Sequence, residues 1–259
     1  MKIGQSIART ILENIEIIAH RGYSAIAPEN TLPAFIAALQ HGAHSVEFDV
    51  QLSADGVPVA FHDITLDRIA GISGSVADLT LSQLQQLDVG SGKSDRFTLT
   101  RIPTLSQVLD CLQNLERSIY LDLKPHCAWS IANLEFLLDL LITQGWENRA
   151  ILCSFSETVL DRIRTCNRQF PLGYSVATAE EYPAKLELAA ADGNAVTIAE
   201  YRIFLDRPQW VQIGRDRGVE AVVWTVDELS DWHRLTEIGI HRIITNSLLA
   251  SQLNNQPGL

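Results

Sequence analysis

The sequence predicts an α/β fold, a (β/α)8 barrel of the TIM type, and three observations predict it. Short β-rich segments alternate with helical patterns along the whole chain, which is the mark of βα units and a parallel sheet. Most of the β-rich segments are continuous apolar runs, as expected of strands covered on both faces. The length, 259 residues, is an ordinary size for one such barrel. Residues 1–259 therefore read as a single domain.

The expected strands are Ile15–Ala19, Ser45–Gln51, Val57–Phe61, Ile119–Leu123, Ala150–Ser154, Pro171–Ser175, Ala195–Ile198, Ala221–Val226 and Arg242–Thr245. That is one too many for an eight-stranded barrel. The join at 53–56, Ser-Ala-Asp-Gly, is the awkward one. An Asp-Gly turn makes a tight hairpin, and a tight hairpin cannot connect parallel neighbours. Either the barrel is irregular around its second and third strands, or the weak segment Ala195–Ile198 is not a strand.

Helices fit between the strands. Within Leu32–Gln40, Leu32, Phe35, Ile36 and Leu39 share one face, Asn30 or Thr31 can cap the start, and Gly42 follows the end. Thr104-Leu-Ser-Gln107 and Thr80-Leu-Ser-Gln83 each read as a capping box. An apolar helix over Ser130–Gln144 stops at Gly145, and another over Asp227–Ile238 stops at Gly239. Residues 64–103, after the third strand, are too long for a simple βα loop. They are rich in Gly and Ser with one short helical pattern, and read as a small insertion or lid over one barrel face.

A formal charge of −11 argues against nucleic acid or an anionic membrane as partner. It also means that something local must hold a phosphate ester against the field of an acidic protein, and a bound divalent cation with a few placed Arg or Lys residues could do so. Cys111, Cys127, Cys153 and Cys166 show no C-x-x-C spacing and read as free thiols. The N-terminal stretch MKIGQSIARTILENIEI has no apolar core of signal-peptide type, and no apolar run is long enough to span a bilayer. The expectation is a cytoplasmic protein with no membrane anchor. Homo-oligomerisation stays open.

In parallel barrels the chemistry lies at the C-terminal ends of the strands. There the sequence places His20-Arg21, Glu47 with Asp49, His62-Asp63, Asp122 with Lys124, Ser154, and Trp224 leading into Asp227. Polar groups at the ends of apolar strands are costly unless paired or used. Glu47 and Asp49, two apart on one strand, point to the same face and repel unless protonated or bridged by a cation. Asp122 offers a third oxygen. Three carboxylates and no thiol favour a hard ion, Mg²⁺ or Ca²⁺. His20 and His62 suit general acid/base work beside it. Arg21 and Lys124 are natural phosphate clamps. The plain alternative is that the acids merely pair with these cations.

The ordered string His20-Arg21-Gly22, Ala27-Pro28-Glu29-Asn30-Thr31, Glu47-x-Asp49, Asp55-Gly56, His62-Asp63, Thr65-Leu66-Asp67-Arg68, Asp122-x-Lys124, Ser154-Phe155 and Trp224-Thr225-Val226 resembles the glycerophosphodiester phosphodiesterases, over roughly residues 17 to 246. The resemblance implies a TIM barrel with an insertion after the His-Asp motif. It also implies divalent-metal-dependent hydrolysis of small-molecule glycerophosphodiesters to glycerol 3-phosphate and an alcohol. By position it makes His20 and His62 the acid/base pair, Arg21, Lys124 and Trp224 the substrate contacts, and Glu47, Asp49 and Asp122 the metal ligands. Glu29 and Ser154 fall at the edge of the site. Three departures from the family pattern stand out: Asp122 stands for a usual Glu, Asp227 for a common Asn, and His241-Arg242 with Asn246 for a common Asp-Gly and Asp near the last strand. Two other readings follow from the same residues. One is a lysophospholipase D-type phosphodiesterase, for which Trp129, Trp146, Trp210 or Trp232 would line an apolar groove. The other is a catalytically silent metal- and phosphate-binding protein.

Overall fold

The computed structural model describes residues 15–248. Most of the N-terminal stretch read as lacking a signal sequence lies outside them. Eight parallel strands close into a barrel: β1 (Glu16–His20), β2 (Ser45–Leu52), β4 (Ile119–Leu123), β5 (Ala150–Ser154), β6 (Leu172–Val176), β7 (Ala195–Glu200), β8 (Ala221–Trp224) and β9 (Arg242–Thr245). Each pairs in parallel with the next, and β1 completes the circle by pairing with both β2 and β9. The ninth strand, β3 (Pro58–Ala60), pairs antiparallel with β2. The extra strand is therefore the one after the Asp-Gly turn, and Ala195–Glu200 is a true barrel strand.

The reason is local. β2 continues past the rim, because Val50, Gln51 and Leu52 pair with Ala60, Val59 and Pro58. The turn between them is held by Gly56 at φ +78° and by Ser53, which bonds the Asp55 carboxylate and the Val57 amide. This hairpin folds β3 back, so that the Phe61 amide donates to the Asp49 carbonyl. His62 therefore reaches the barrel mouth through a returning hairpin, not at the end of a parallel strand.

Helices surround the barrel: α1 (Leu32–Gln40), α4 (Leu105–Cys111), α5 (Ile131–Thr143), α6 (Glu157–Cys166), α7 (Tyr182–Asp192), α8 (Arg202–Asp206), α9 (Gln209–Asp216) and α10 (Leu229–Glu237). The boxes at Thr80–Gln83 and Thr104–Gln107 form, and Ser130 with Asn133 makes a third. Thr31 precedes α1 without a side-chain cap; its hydroxyl donates to the Pro28 carbonyl. Asn30 does not cap either, for its amide is taken by Asp49.

Apolar burial separates into three clusters. One fills the shell between strands and helices. A second, with Ile18, Tyr120, Ile151, Ile198, Val222 and Ile244, plugs the barrel interior. The third, with Val59, Phe61, Leu66, Val76, Leu84, Val89 and Ile102, belongs to the β3 segment and the stretch that follows. That stretch carries two four-residue helices, α2 (Asp67–Ala70) and α3 (Leu81–Leu84), not the single helix expected. Lys93 and Arg96 fasten it to the loop after β1 by donating to the carbonyls of Ser24 and Ile26. Among the described residues no helix is long and apolar enough to cross a membrane.

Candidate active site

The parallel register brings the acids together. Residues paired across neighbouring strands stand side by side, and Asp49 pairs with Asp122 while His20 pairs with Glu47. One oxygen each from Glu47, Asp49 and Asp122 lies within 4.8 Å of the others, and all three residues are buried. They line a cleft of about 140 Å³ together with His20, Arg21, His62, Lys124, Cys153, Phe155, Ser175, Ile198, Trp224 and Ile244. One wall is charged. The other, built on β5 to β9, is largely apolar.

The charges balance one another unevenly. Lys124 Nζ is 2.5 Å from Asp49 Oδ1 and 2.7 Å from Asp122 Oδ2. Asn30 Nδ2 donates to Asp49 Oδ2 at 2.7 Å, and Arg21 Nε is 3.2 Å from the same oxygen but not aligned for a hydrogen bond. Glu47 Oε2 accepts only the Arg21 backbone N–H, at 3.1 Å, and stands 3.8 Å from His20 Nε2. Asp122 Oδ1 is buried with no hydrogen-bond partner among the described residues.

The proton affinities follow from these partners. Burial pushes the Glu47 carboxyl well up, and Asp49 beside it adds to the rise. Burial also raises Asp122, with Lys124 opposing. At Asp49 burial acts upward as well, but Lys124 and Arg21 together outweigh it and hold the carboxyl well below the usual range. A site with two acids driven towards protonation and one orphaned carboxylate oxygen is short of positive charge. The donor set is all oxygen, and it fits a hard divalent cation held by Glu47, Asp49 and Asp122.

His20 and His62 both face the cleft. Burial and the adjacent Arg21 push the His20 imidazole down to about 4, so it is neutral near pH 7. His20 Nδ1 lies 2.7 Å from Asn246 Oδ1, and His62 Nδ1 lies 2.7 Å from Asp63 Oδ1. Each ring thus has a partner on Nδ1 and keeps Nε2 free. Gln51 steadies the His62 segment by donating from Nε2 to the carbonyls of Phe61 and Asp63.

Glu29 lies outside the cleft lining and acts as a strut. It accepts from Arg21 Nη1 at 2.7 Å and from both terminal nitrogens of Arg68, which also grips Asp63. Burial pushes the Glu29 carboxyl up, but the Arg68 and Arg21 contacts together outweigh it and hold it below its usual range. The Arg68 hydrogen bond, foremost among several effects, brings Asp63 down to about 2. Arg21 and Asn30 sit at φ 55° and 56°, left-handed conformations that the loop after β1 must support.

Ser154 does not reach the site. It is fully buried, and its hydroxyl donates to the Leu123 carbonyl and accepts from the Ser156 amide. Strand alternation sends Cys153 inward and Ser154 outward. Trp129, Trp146 and Trp232 are core residues and Trp210 stacks on Tyr182, so none of the four lines the cleft. Trp224 does, in edge contact with Phe155. The sequence places Trp224 on the apolar wall but gives Asn30 only as a helix cap and does not point to Ser175, Ile198 or Ile244. Asn30 had a signal, since it stands inside the quoted Pro-Glu-Asn-Thr string. Ser175, Ile198 and Ile244 had none, being ordinary inward residues of apolar strands.

Comparison with known proteins agrees with this architecture. The model of the glycerophosphoryl diester phosphodiesterase family matches residues 20–250. A glycerophosphodiester phosphodiesterase from Caldanaerobacter subterraneus is 31% identical over 232 residues, covering 89% of this chain and 93% of that one. Glycerophosphodiester phosphodiesterase 1 of Mus musculus is 36% identical over 160 residues, covering 61% of this chain and 47% of its own. An Oleispira antarctica phosphodiesterase, solved with its product sn-glycerol-3-phosphate, superposes with a TM-score of 0.85 at 28% identity, covering 92% of this chain and 95% of the other. Its fold, its ordered motifs and these relatives together place the chain in the glycerophosphoryl diester phosphodiesterase family.

Proposed function

We propose that this protein hydrolyses small glycerophosphodiesters to glycerol 3-phosphate and an alcohol, using a divalent cation. The observation that carries this reading is the meeting of Glu47, Asp49 and Asp122 within 4.8 Å in a cleft that also receives two imidazoles, an Arg and a Lys. The sn-glycerol-3-phosphate held by the Oleispira antarctica relative supports the same substrate class.

Glu47, Asp49 and Asp122 hold the cation, Mg²⁺ or Ca²⁺. When bound, it supplies positive charge to the phosphate oxygens as the transition state forms. Arg21 and Lys124 take the remaining phosphate charge, Arg21 with the donors that Glu29 leaves free. His20 and His62 divide the proton work through their free Nε2 atoms. One accepts the proton of the attacking oxygen and the other gives one to the leaving alcohol. Trp224 and Phe155 form the apolar wall against the organic part of the substrate. We assign the segment 64–103, tied to the loop after β1, as a lid over this mouth. The free thiols of all four cysteines support a reducing, cytoplasmic setting.

The test is turnover of glycerophosphocholine and glycerophosphoethanolamine with Mg²⁺ or Ca²⁺, repeated after chelation. The expected result is release of glycerol 3-phosphate that chelation abolishes. Unchanged turnover after chelation removes the metal from the reading. Cleavage of lysophospholipids alone gives the substrate class to lipids instead.

A further inference from the structure

We propose that Asp227 and Asn246 form a positioning pair that fixes the tautomer of His20, with the carboxylate one residue further from the imidazole than the amide. The role rests on the phosphodiesterase reading above, but the geometry stands by itself.

Asp227 follows β8 and Asn246 follows β9, so the two meet at the mouth of the barrel beside β1. Three donors converge on the Asp227 carboxylate. Thr245 Oγ1 and the Asn246 backbone N–H both reach Oδ1, at 2.9 Å and 2.8 Å, and Asn246 Nδ2 reaches Oδ2 at 2.8 Å. An ionised carboxylate only accepts. The Asn246 amide must therefore present its NH₂ to Asp227 and its oxygen to the other side. Ser24 Oγ donates to that oxygen at 2.9 Å, which pins it further. His20 Nδ1 stands 2.7 Å from it. Facing an oxygen that cannot donate, Nδ1 must carry the proton. Nε2 is then the bare nitrogen, and it is the atom turned towards Glu47, at 3.8 Å.

The orientation of one amide thus decides which imidazole nitrogen enters the cleft ready to take a proton. Without Asp227 that amide can rotate, because its own oxygen and nitrogen are nearly equal in shape. Rotated, it offers N–H to Nδ1 and moves the ring proton to Nε2, where it blocks proton acceptance. Neither Asp227 nor Asn246 lines the cleft, so both act through His20 and are positioning residues. The pair is also reciprocal in chemistry. An Asn at 227 and an Asp at 246 can make the same contacts with donor and acceptor exchanged, leaving a carboxylate oxygen on Nδ1.

The experiment compares wild type, Asp227→Asn, Asn246→Asp and the exchange Asp227→Asn/Asn246→Asp at pH 8. Imidazole ¹⁵N–¹H correlation spectra report the tautomer, with the His20 signals identified by their loss in His20→Asn. Steady-state kinetics on glycerophosphocholine report kcat and KM. Wild type is expected to show Nδ1–H at His20. Asp227→Asn is expected to show a mixed or Nε2–H tautomer and a kcat at least about 10-fold lower, with KM nearly unchanged. The exchange is expected to restore both the Nδ1–H tautomer and kcat to within about threefold. An Nε2–H tautomer in wild type overturns the proposal. So does Asp227→Asn with the wild-type tautomer, or an exchange variant no better than Asp227→Asn. If wild type turns over no glycerophosphodiester, the functional reading falls, and the spectra still decide the tautomer.

Discussion

Lys124 Nζ stands 2.5 Å from Asp49 Oδ1, and the same ammonium reaches Asp122 at 2.7 Å. A lysine thus shares one positive charge between two of the three acids that would hold a cation. Burial alone would lower the ammonium, and the two carboxylates more than reverse it, raising Lys124 above its ordinary range. Lys124 and a divalent ion compete for the same oxygens.

That competition predicts effects of opposite sign. Lys124→Ala should tighten Mg²⁺ or Ca²⁺ binding by about 10-fold or more, since one nearby charge at an effective dielectric near 20 is worth about 4 kcal/mol before rearrangement. The same variant should turn substrate over more slowly, having lost a phosphate contact. Calorimetric titration and kinetics on one preparation check both. A Lys124→Ala protein that binds the ion more weakly would show the lysine to be a brace for the acids, not their competitor.

His20→Ala and His62→Ala should each lower kcat by at least about 100-fold, the usual size of a lost general acid or base. Metal affinity should hardly change, because neither ring belongs to the acid triad. Single-turnover rates alongside metal titrations separate the two effects. Activity of His20→Ala within about threefold of wild type would remove that ring from the chemistry.

The depressed His20 imidazole makes stability depend on pH. Its ordinary value is 6.5, and burial followed by Arg21 brings it to about 4 in the folded chain. Between those values the unfolded chain binds a proton that the folded one refuses. The stabilisation is therefore full above pH 6.5 and drains away as pH falls towards 4, by up to about 3 kcal/mol. In chelated protein, denaturant midpoints should fall more steeply from pH 7 to 4.5 for wild type than for His20→Asn. Parallel slopes would mean that His20 titrates normally.

Gly22 carries the loop after β1 at φ +77°, and a Cβ added there would lie 2.7 Å from the backbone carbon of Ala34. Neither the left-handed angle nor the contact with main chain can relax cheaply. Gly22→Ala should cost at least about 2 kcal/mol of stability. It should also disturb Arg21, its neighbour at φ 55°. Urea unfolding measures the first effect and KM for substrate the second. A stable variant with wild-type KM would show that the loop can shift without harm.

Much of this molecule was written locally. Continuous apolar runs named the barrel strands, because a strand covered on both faces needs no alternation. Thr and Gln three residues apart name two helix starts, because a cap is closed within four residues. The Glu47-x-Asp49 and Asp122-x-Lys124 pairs declared that their side chains share a face, because strand period is two.

What needed the tertiary structure was every relation between distant stretches. No local rule says that Asp49 and Asp122 are paired residues of adjacent strands, since register is set by how the whole barrel closes. The fate of β3 is another such case: the Asp-Gly hairpin is visible in the sequence, but only its pairing with the extended end of β2 shows that β3 is the extra strand and that it returns His62 to the mouth. Asn30 looked like a helix cap and became a ligand of Asp49, while Ser154 looked like a site residue and faced the other way. The sequence determines which groups are present and which face of their own element they take. Packing alone decides which of them meet, because the distances that govern charge and hydrogen bonding run through space and not along the chain.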